Sequence, residues 1–141
     1  MTVDEANSFL SAAFNRPDHQ AKVTLMEPGR AIQRLEISEE HLRPGGYVSG
    51  PTQMGLADSA AYMAVMTLTG MEPMTVTSNL NINFLRPCIG DVVLADATVM
   101  KIGQALAVMD VDIRIEGADK AASQAIVTYA LPREDQRARA T

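Results

Sequence analysis

Residues 50–70 constrain this chain most: they form a long apolar run with a single carboxylate, Asp58, in its interior. The run follows a turn-rich stretch, Arg43-Pro44-Gly45-Gly46-Tyr47-Val48-Ser49-Gly50-Pro51, and stops at Gly70. Pro51 suits the first helical position and Gly70 the residue just past the end. Between them Met54, Leu56, Ala57, Ala60, Ala61, Tyr62, Met63, Ala64, Val65 and Met66 fall on every side of the helix. A helix that is apolar all round is buried. Asp58 has Met54 and Gly55 one turn before it, Ala61 and Tyr62 one turn after, and no basic residue at pairing distance. A carboxylate placed there is costly unless something uses it.

The rest of the chain must therefore cover this helix. One domain, residues 1–141, is expected from the length. Apolar content of 47% and charged content of 21% are ordinary for a globular protein. A net charge of −5 with no basic run argues against nucleic acid as a partner. The single cysteine, Cys88, excludes an internal disulfide framework and fits a reducing compartment. The first 15 residues have neither the basic start nor the apolar run of a signal peptide, so the expected location is cytoplasmic. The helix is interrupted by Gln53, Asp58, Ser59, Thr67 and Thr69, which argues against a membrane span.

Apolar residues at Val3, Ala6, Phe9, Leu10, Ala13 and Phe14 predict a short amphipathic helix, with an arm to residue 20. Residues 22–27 and 30–37 read as strands joined by Pro28-Gly29, a type II turn. After Gly70 the pattern turns to alternation. In residues 75–85, Val76, Leu80, Ile82 and Phe84 are expected on one face, and Thr77, Asn79, Asn81 and Asn83 on the other. Residues 91–102 and 105–115 read as a hairpin about Gly103-Gln104, and 121–131 as a last strand. Residues 132–141 read as a frayed tail. The economical α+β arrangement is a curved, largely antiparallel sheet of about six strands wrapped around one long central helix, part of which is left for a second subunit.

Two segments resemble a known family. Pro44-Gly45-Gly46-Tyr47-Val48-Ser49-Gly50, followed by Leu56-Ala57-Asp58, is similar to the motif at the central helix of hotdog-fold acyl-CoA thioesterases of the phenylacetate-pathway (PaaI-like) type. Asn79-Leu80-Asn81-Ile82-Asn83-Phe84-Leu85-Arg86-Pro87, with Gly90-Asp91, resembles that family's next strand. The similarity spans about residues 30–131. It implies a hotdog fold, an acyl-CoA substrate, no cofactor and a homo-oligomer, a dimer or dimer of dimers. It also implies Asp58 as general base or nucleophile, a Gly50 backbone N–H on the thioester oxygen, and Thr77 orienting water. Ser49 stands where the family usually has His, Arg43 where it has Asn, and Pro51 where it has a second Gly.

Gly50 and Asp58 lie roughly 12 Å apart along one helix, at ~1.5 Å per residue. One helix cannot bring both to one carbonyl, whereas two antiparallel copies can, giving two shared sites per dimer. Candidate substrate contacts are Arg43, Ser49, Pro51, Tyr62 and Asn79, with Arg86 and Lys101 for the nucleotide end of CoA. His19 and His41 lack metal-site spacing, and no Gly-x-Ser-x-Gly is present. The competing expectation is a non-catalytic acyl-CoA-binding or regulatory hotdog protein.

Overall fold

The long helix sits on the inner side of a six-stranded antiparallel sheet. The computed structural model describes residues 1–14, 21–133 and 135. The elements are α1 (Val3–Ala13), β1 (Ala21–Glu27), β2 (Arg30–Glu36), β3 (Leu42–Arg43), β4 (Tyr47–Val48), α2 (Gly50–Thr69), β5 (Val76–Phe84), β6 (Val92–Ile102), β7 (Leu106–Ile115) and β8 (Ser123–Ala130). The sheet order is β1-β2-β6-β7-β8-β5, and β3 and β4 form a separate two-stranded pair. The predicted frayed tail and the arm through residue 20, with His19, lie mostly outside the described residues.

Local chemistry sets the element ends. Gly29 takes φ 82°, which a type II turn between β1 and β2 requires at its third residue. Ser49 caps α2: its Oγ accepts from the Thr52 N–H at 3.3 Å. The helix begins at Gly50, so Pro51 falls one residue further in than expected, still within the turn whose amides lack intrahelical acceptors. At the other end the Gly70 N–H bonds the Met66 carbonyl at 2.8 Å. α1 is tied to β1 by Asn7, whose amide donates to the Val23 carbonyl at 3.1 Å and accepts from its N–H at 2.9 Å.

The core lies between α2 and the sheet. Leu56, Ala57, Ala60, Ala61 and Met63–Met66 of the helix are buried, as are Val93, Ala95 and Ala97 of β6, Met109, Val111 and Ile113 of β7, and Ala125 and Val127 of β8. Many facing positions are alanine, so the helix lies close on the curved strands. Burial is not complete around the helix. Pro51, Met54 and Gly55 are exposed and Asp58 is half-buried, a stripe at i, i+3, i+4 and i+7. Beside it β5 is an edge strand with Val76, Phe84 and the following Leu85 exposed.

One expected face assignment is overturned. Thr77 pairs with Tyr129 and Asn79 with Thr128, so Ser78 is an extra residue in β5. The bulge breaks the strict alternation. Thr77 joins Leu80, Ile82 and Phe84 on the helix side, whereas Val76, paired with Ala130, moves to the outer face with the asparagines.

Candidate active site

The Asp58 carboxylate is gripped at one oxygen. Thr77 Oγ1 donates to Oδ1 at 2.7 Å, a contact that exists only because the bulge turns Thr77 inward. The Tyr129 hydroxyl lies 2.8 Å from the same Oδ1 and 2.8 Å from the main-chain carbonyl of Asp58. Among the described residues no hydrogen bond reaches Oδ2. Burial, foremost, holds the Tyr129 phenol far above its ordinary range; the Thr77 hydroxyl opposes this in part, and the neighbouring Asp58 carboxylate adds to it. Tyr129 is therefore a permanent donor at physiological pH.

An aromatic column leads away from the carboxylate. Tyr62, one turn after Asp58, stacks on Tyr129 with centroids 5.4 Å apart and planes 9° from parallel. Phe9 of α1 meets Tyr62 edge-on at 5.8 Å. The Tyr62 hydroxyl donates to the Glu72 carbonyl at 3.2 Å, and burial pushes its pKa up to about 12. A cavity of about 660 Å³ opens beside Asp58, walled by Phe9 and Phe14 of α1, Tyr62, Thr77 and Tyr129. It is apolar apart from the carboxylate and a few hydroxyls.

Gly50 lies elsewhere. It lines a second cavity of about 570 Å³ with Arg43, Pro51, Gln53, Phe84 and Arg86. A Cβ on Gly50 would sit 3.3 Å from Phe84 Cζ, so the glycine lets the ring close over the helix start. Buried Gln53 anchors this turn: its Nε2 donates to the Val48 carbonyl at 3.1 Å, and its Oε1 accepts from Ser123 Oγ at 2.7 Å. Arg43 is exposed, with Nε 3.4 Å from the Pro44 carbonyl, and Arg86 donates to the Ala121 carbonyl. Ser49 is engaged as the helix cap and also meets Thr52 Oγ1 at 2.8 Å. Cys88 lines the same cavity, but burial raises its pKa and keeps it a thiol.

The expected residues thus divide. Asp58, Thr77 and Tyr62 meet at one cavity, and Gly50, Pro51, Arg43 and Arg86 at the other. Asn79 and Lys101 line neither. Asn79 pairs with Thr128 on the sheet's outer face, and Lys101, after a register shift in β6, pairs with Val108 on that face too. The sequence reading missed Tyr129 and the Gln53–Ser123 bond. Tyr129 alternates with Ala125 and Val127 on a buried face, and a buried tyrosine hydroxyl needs a partner. Among the described residues no His, Cys, Asp or Glu cluster could hold a metal, and no helix is long and apolar enough to cross a membrane.

Comparison with known proteins gives a concordant picture. The model of the thioesterase superfamily matches residues 45–122. Human acyl-coenzyme A thioesterase 13 is 29% identical over 106 residues, covering 73% of this chain and 75% of the human one. A Silicibacter protein solved as a candidate thioesterase superposes with a TM-score of 0.86 at 32% identity, over 94% of this chain and 93% of that one. A point mutant of the phenylacetic acid degradation protein PaaI of Thermus thermophilus superposes with a TM-score of 0.71 at 26% identity, over 89% of this chain and 99% of that one.

Proposed function

This chain belongs to the thioesterase superfamily, and from that premise we propose that it hydrolyses an acyl-CoA thioester to a carboxylic acid and free CoA at a centre shared by two subunits. The observation that carries the reading is the division of the site. The carboxylate and the first-turn amide of one α2 line different cavities, and a reacting carbonyl needs both within about 3 Å. A second copy laid antiparallel brings its helix start to the first copy's Asp58. The exposed stripe of Pro51, Met54 and Gly55 and the unpaired edge of β5 are the surfaces such a copy would cover. The apolar cavity beside Asp58 then takes the acyl group. The cavity of the other copy, with Arg43 and Arg86, takes the CoA side, where guanidinium suits phosphate.

In this scheme the Gly50 N–H of the second copy, with the helix dipole, stabilises the oxyanion as it forms. Asp58 takes a proton from water, whose oxygen bonds to the acyl carbon. The carbon–sulfur bond then breaks, and the thiolate leaves and collects the proton. Direct attack by the carboxylate, followed by hydrolysis of the resulting anhydride, uses the same geometry. Thr77 fixes the carboxylate rather than water, since its hydroxyl is on Oδ1.

A panel of acyl-CoAs with a thiol reagent tests the reading. Thiol release is expected, reduced by about 10³-fold in Asp58→Asn with the fold intact. Undiminished turnover in that variant refutes the carboxylate's role. Saturable binding of acyl-CoA with no release establishes the alternative, a binding or regulatory protein. The replacement of the family's usual His by a Ser49 engaged as a cap favours that alternative. A scattering mass of one chain at micromolar concentration would remove the shared centre.

A further inference from the structure

Tyr129 does more at Asp58 than fill the core. Its ring and its hydroxyl dock on the same face of α2 one turn apart, the ring on Tyr62 and the hydroxyl on Asp58. A buried tyrosine needs one acceptor for its proton, and the Asp58 carbonyl at 2.8 Å would suffice. Instead the hydroxyl sits equally close to Oδ1 and bridges the carboxylate to its own main chain. Thr77 approaches the same oxygen from β5, the neighbouring strand. Two hydroxyls from two strands therefore fix the rotation of one carboxylate and leave its other oxygen without a protein donor among the described residues.

We propose that Tyr129 is a positioning residue that, with Thr77, clamps Oδ1 of Asp58 so that Oδ2 alone is presented to the reacting water or acyl carbon. The proposal rests on the thioesterase reading for its kinetic consequence but not for its geometry. A freely rotating carboxylate would spend part of its time with both oxygens misdirected, and a misplacement of about 1 Å is enough to cost on the order of 10²-fold in rate. The clamping hydroxyls are engaged by Asp58, not by substrate, so loss of one should appear in kcat and not in KM.

Tyr129→Phe keeps the stacked ring and deletes the hydroxyl. With octanoyl-CoA and phenylacetyl-CoA as probes, we expect kcat to fall about 10-fold or more with KM within about twofold. In an Asp58→Asn background the same change should have no further effect on residual turnover, because the group it positions is gone. A parallel fall in both backgrounds would mean a merely structural role and overturn the proposal. Full kcat in Tyr129→Phe alongside a dead Asp58→Asn overturns the clamp while sparing the thioesterase reading; full turnover in Asp58→Asn overturns that reading. A crystal structure of Tyr129→Phe decides the geometry whether or not the chain hydrolyses anything. The carboxylate should be rotated or divided between rotamers, and one left in place, with Thr77 alone on Oδ1, would overturn the clamp.

Discussion

The two ends of the first half of α2 are built by opposite means. In the proposed scheme the chemistry at the start is main-chain: a glycine amide, presented by a serine cap and a buried glutamine brace. Two turns on, it is a side chain held by other side chains: one carboxylate, two hydroxyls and an aromatic column. The first end is set mainly by neighbours in sequence, Ser49 and Val48, with one long-range bond from Gln53 to Ser123 of β8. The second is positioned only when β5 and β8 are in place around it. An amide needs no tuning to stabilise an oxyanion, but a carboxylate must be both oriented and kept from a strong ionic partner. The contrast explains why hydroxyls, and among the described residues no arginine or lysine, hold Asp58.

The strongest way to break this comparison is to separate the ends onto different chains. With Gly50→Ala as the control for the added Cβ, which meets Phe84 Cζ at 3.3 Å, Gly50→Pro deletes the amide proton at a first helical position that suits proline, after an extended Ser49 (ψ 153°) that tolerates it. Alone it should lower turnover by about 10²-fold. Asp58→Asn alone should be nearly inactive. Co-expressed in equal amounts, the two should recover about a quarter of wild-type turnover, since half the dimers are mixed and each has one intact site of two. A mixture no more active than its parts would place both ends in one chain's site, or in none.

The same contrast governs what the sequence discloses. The helix and its Gly70 stop are local matters of turn chemistry, and they were legible; Pro51 as the first helical position puts the start one residue late, so Ser49 was not legible as the cap. The six-strand sheet followed from alternation and short turns. Asp58 was conspicuous as the single carboxylate in an apolar run. The partners of Asp58 were not legible in the same way. Strict alternation put Thr77 on the face opposite Leu80, Ile82 and Phe84, and the family resemblance alone brought it to the site; the bulge at Ser78 that turns it inward has no glycine or proline to announce it. Tyr129 lies 71 residues from Asp58 and looks like ordinary core. Asn79 and Lys101 were drawn in by motif and charge alone, and register sends both to the outer face.

A smaller effect sharpens the account of the helix start. Ser49→Ala removes the acceptor for the Thr52 N–H and should destabilise the protein by about 1 kcal/mol in denaturant titration. Ser49→Asp, which can still cap, should restore that stability. If Ser49 served only as a substrate contact, stability would be unchanged in both variants while KM rose. Turnover by Ser49→Ala under conditions where it is fully folded should stay within a few-fold of wild type, because the amide itself remains.

The smallest expected effect belongs to the aromatic end. Tyr62 titrates at about 12 in the folded protein, pushed up chiefly by burial and then by the charge of Glu72; an unfolded tyrosine titrates at about 10. Above about pH 10 the unfolded chain releases its phenolic protons first, so it binds fewer protons than the folded one and stability falls with rising pH. The Tyr62 contribution is intact below about pH 10 and is lost as pH climbs through about 12. Tyr129, raised further for the same reason, steepens the fall. Tyr62→Phe should therefore lose less stability between pH 8 and 11 than the wild type does, measured as the change in denaturation midpoint. The contacts of Ser49 Oγ are with Thr52 and, among the described residues, with neither phenol, so Ser49→Ala should leave that alkaline slope untouched. An equal slope in wild type and Tyr62→Phe would mean that the phenol is solvated, and that the column beside Asp58 is looser than its stacking distance implies.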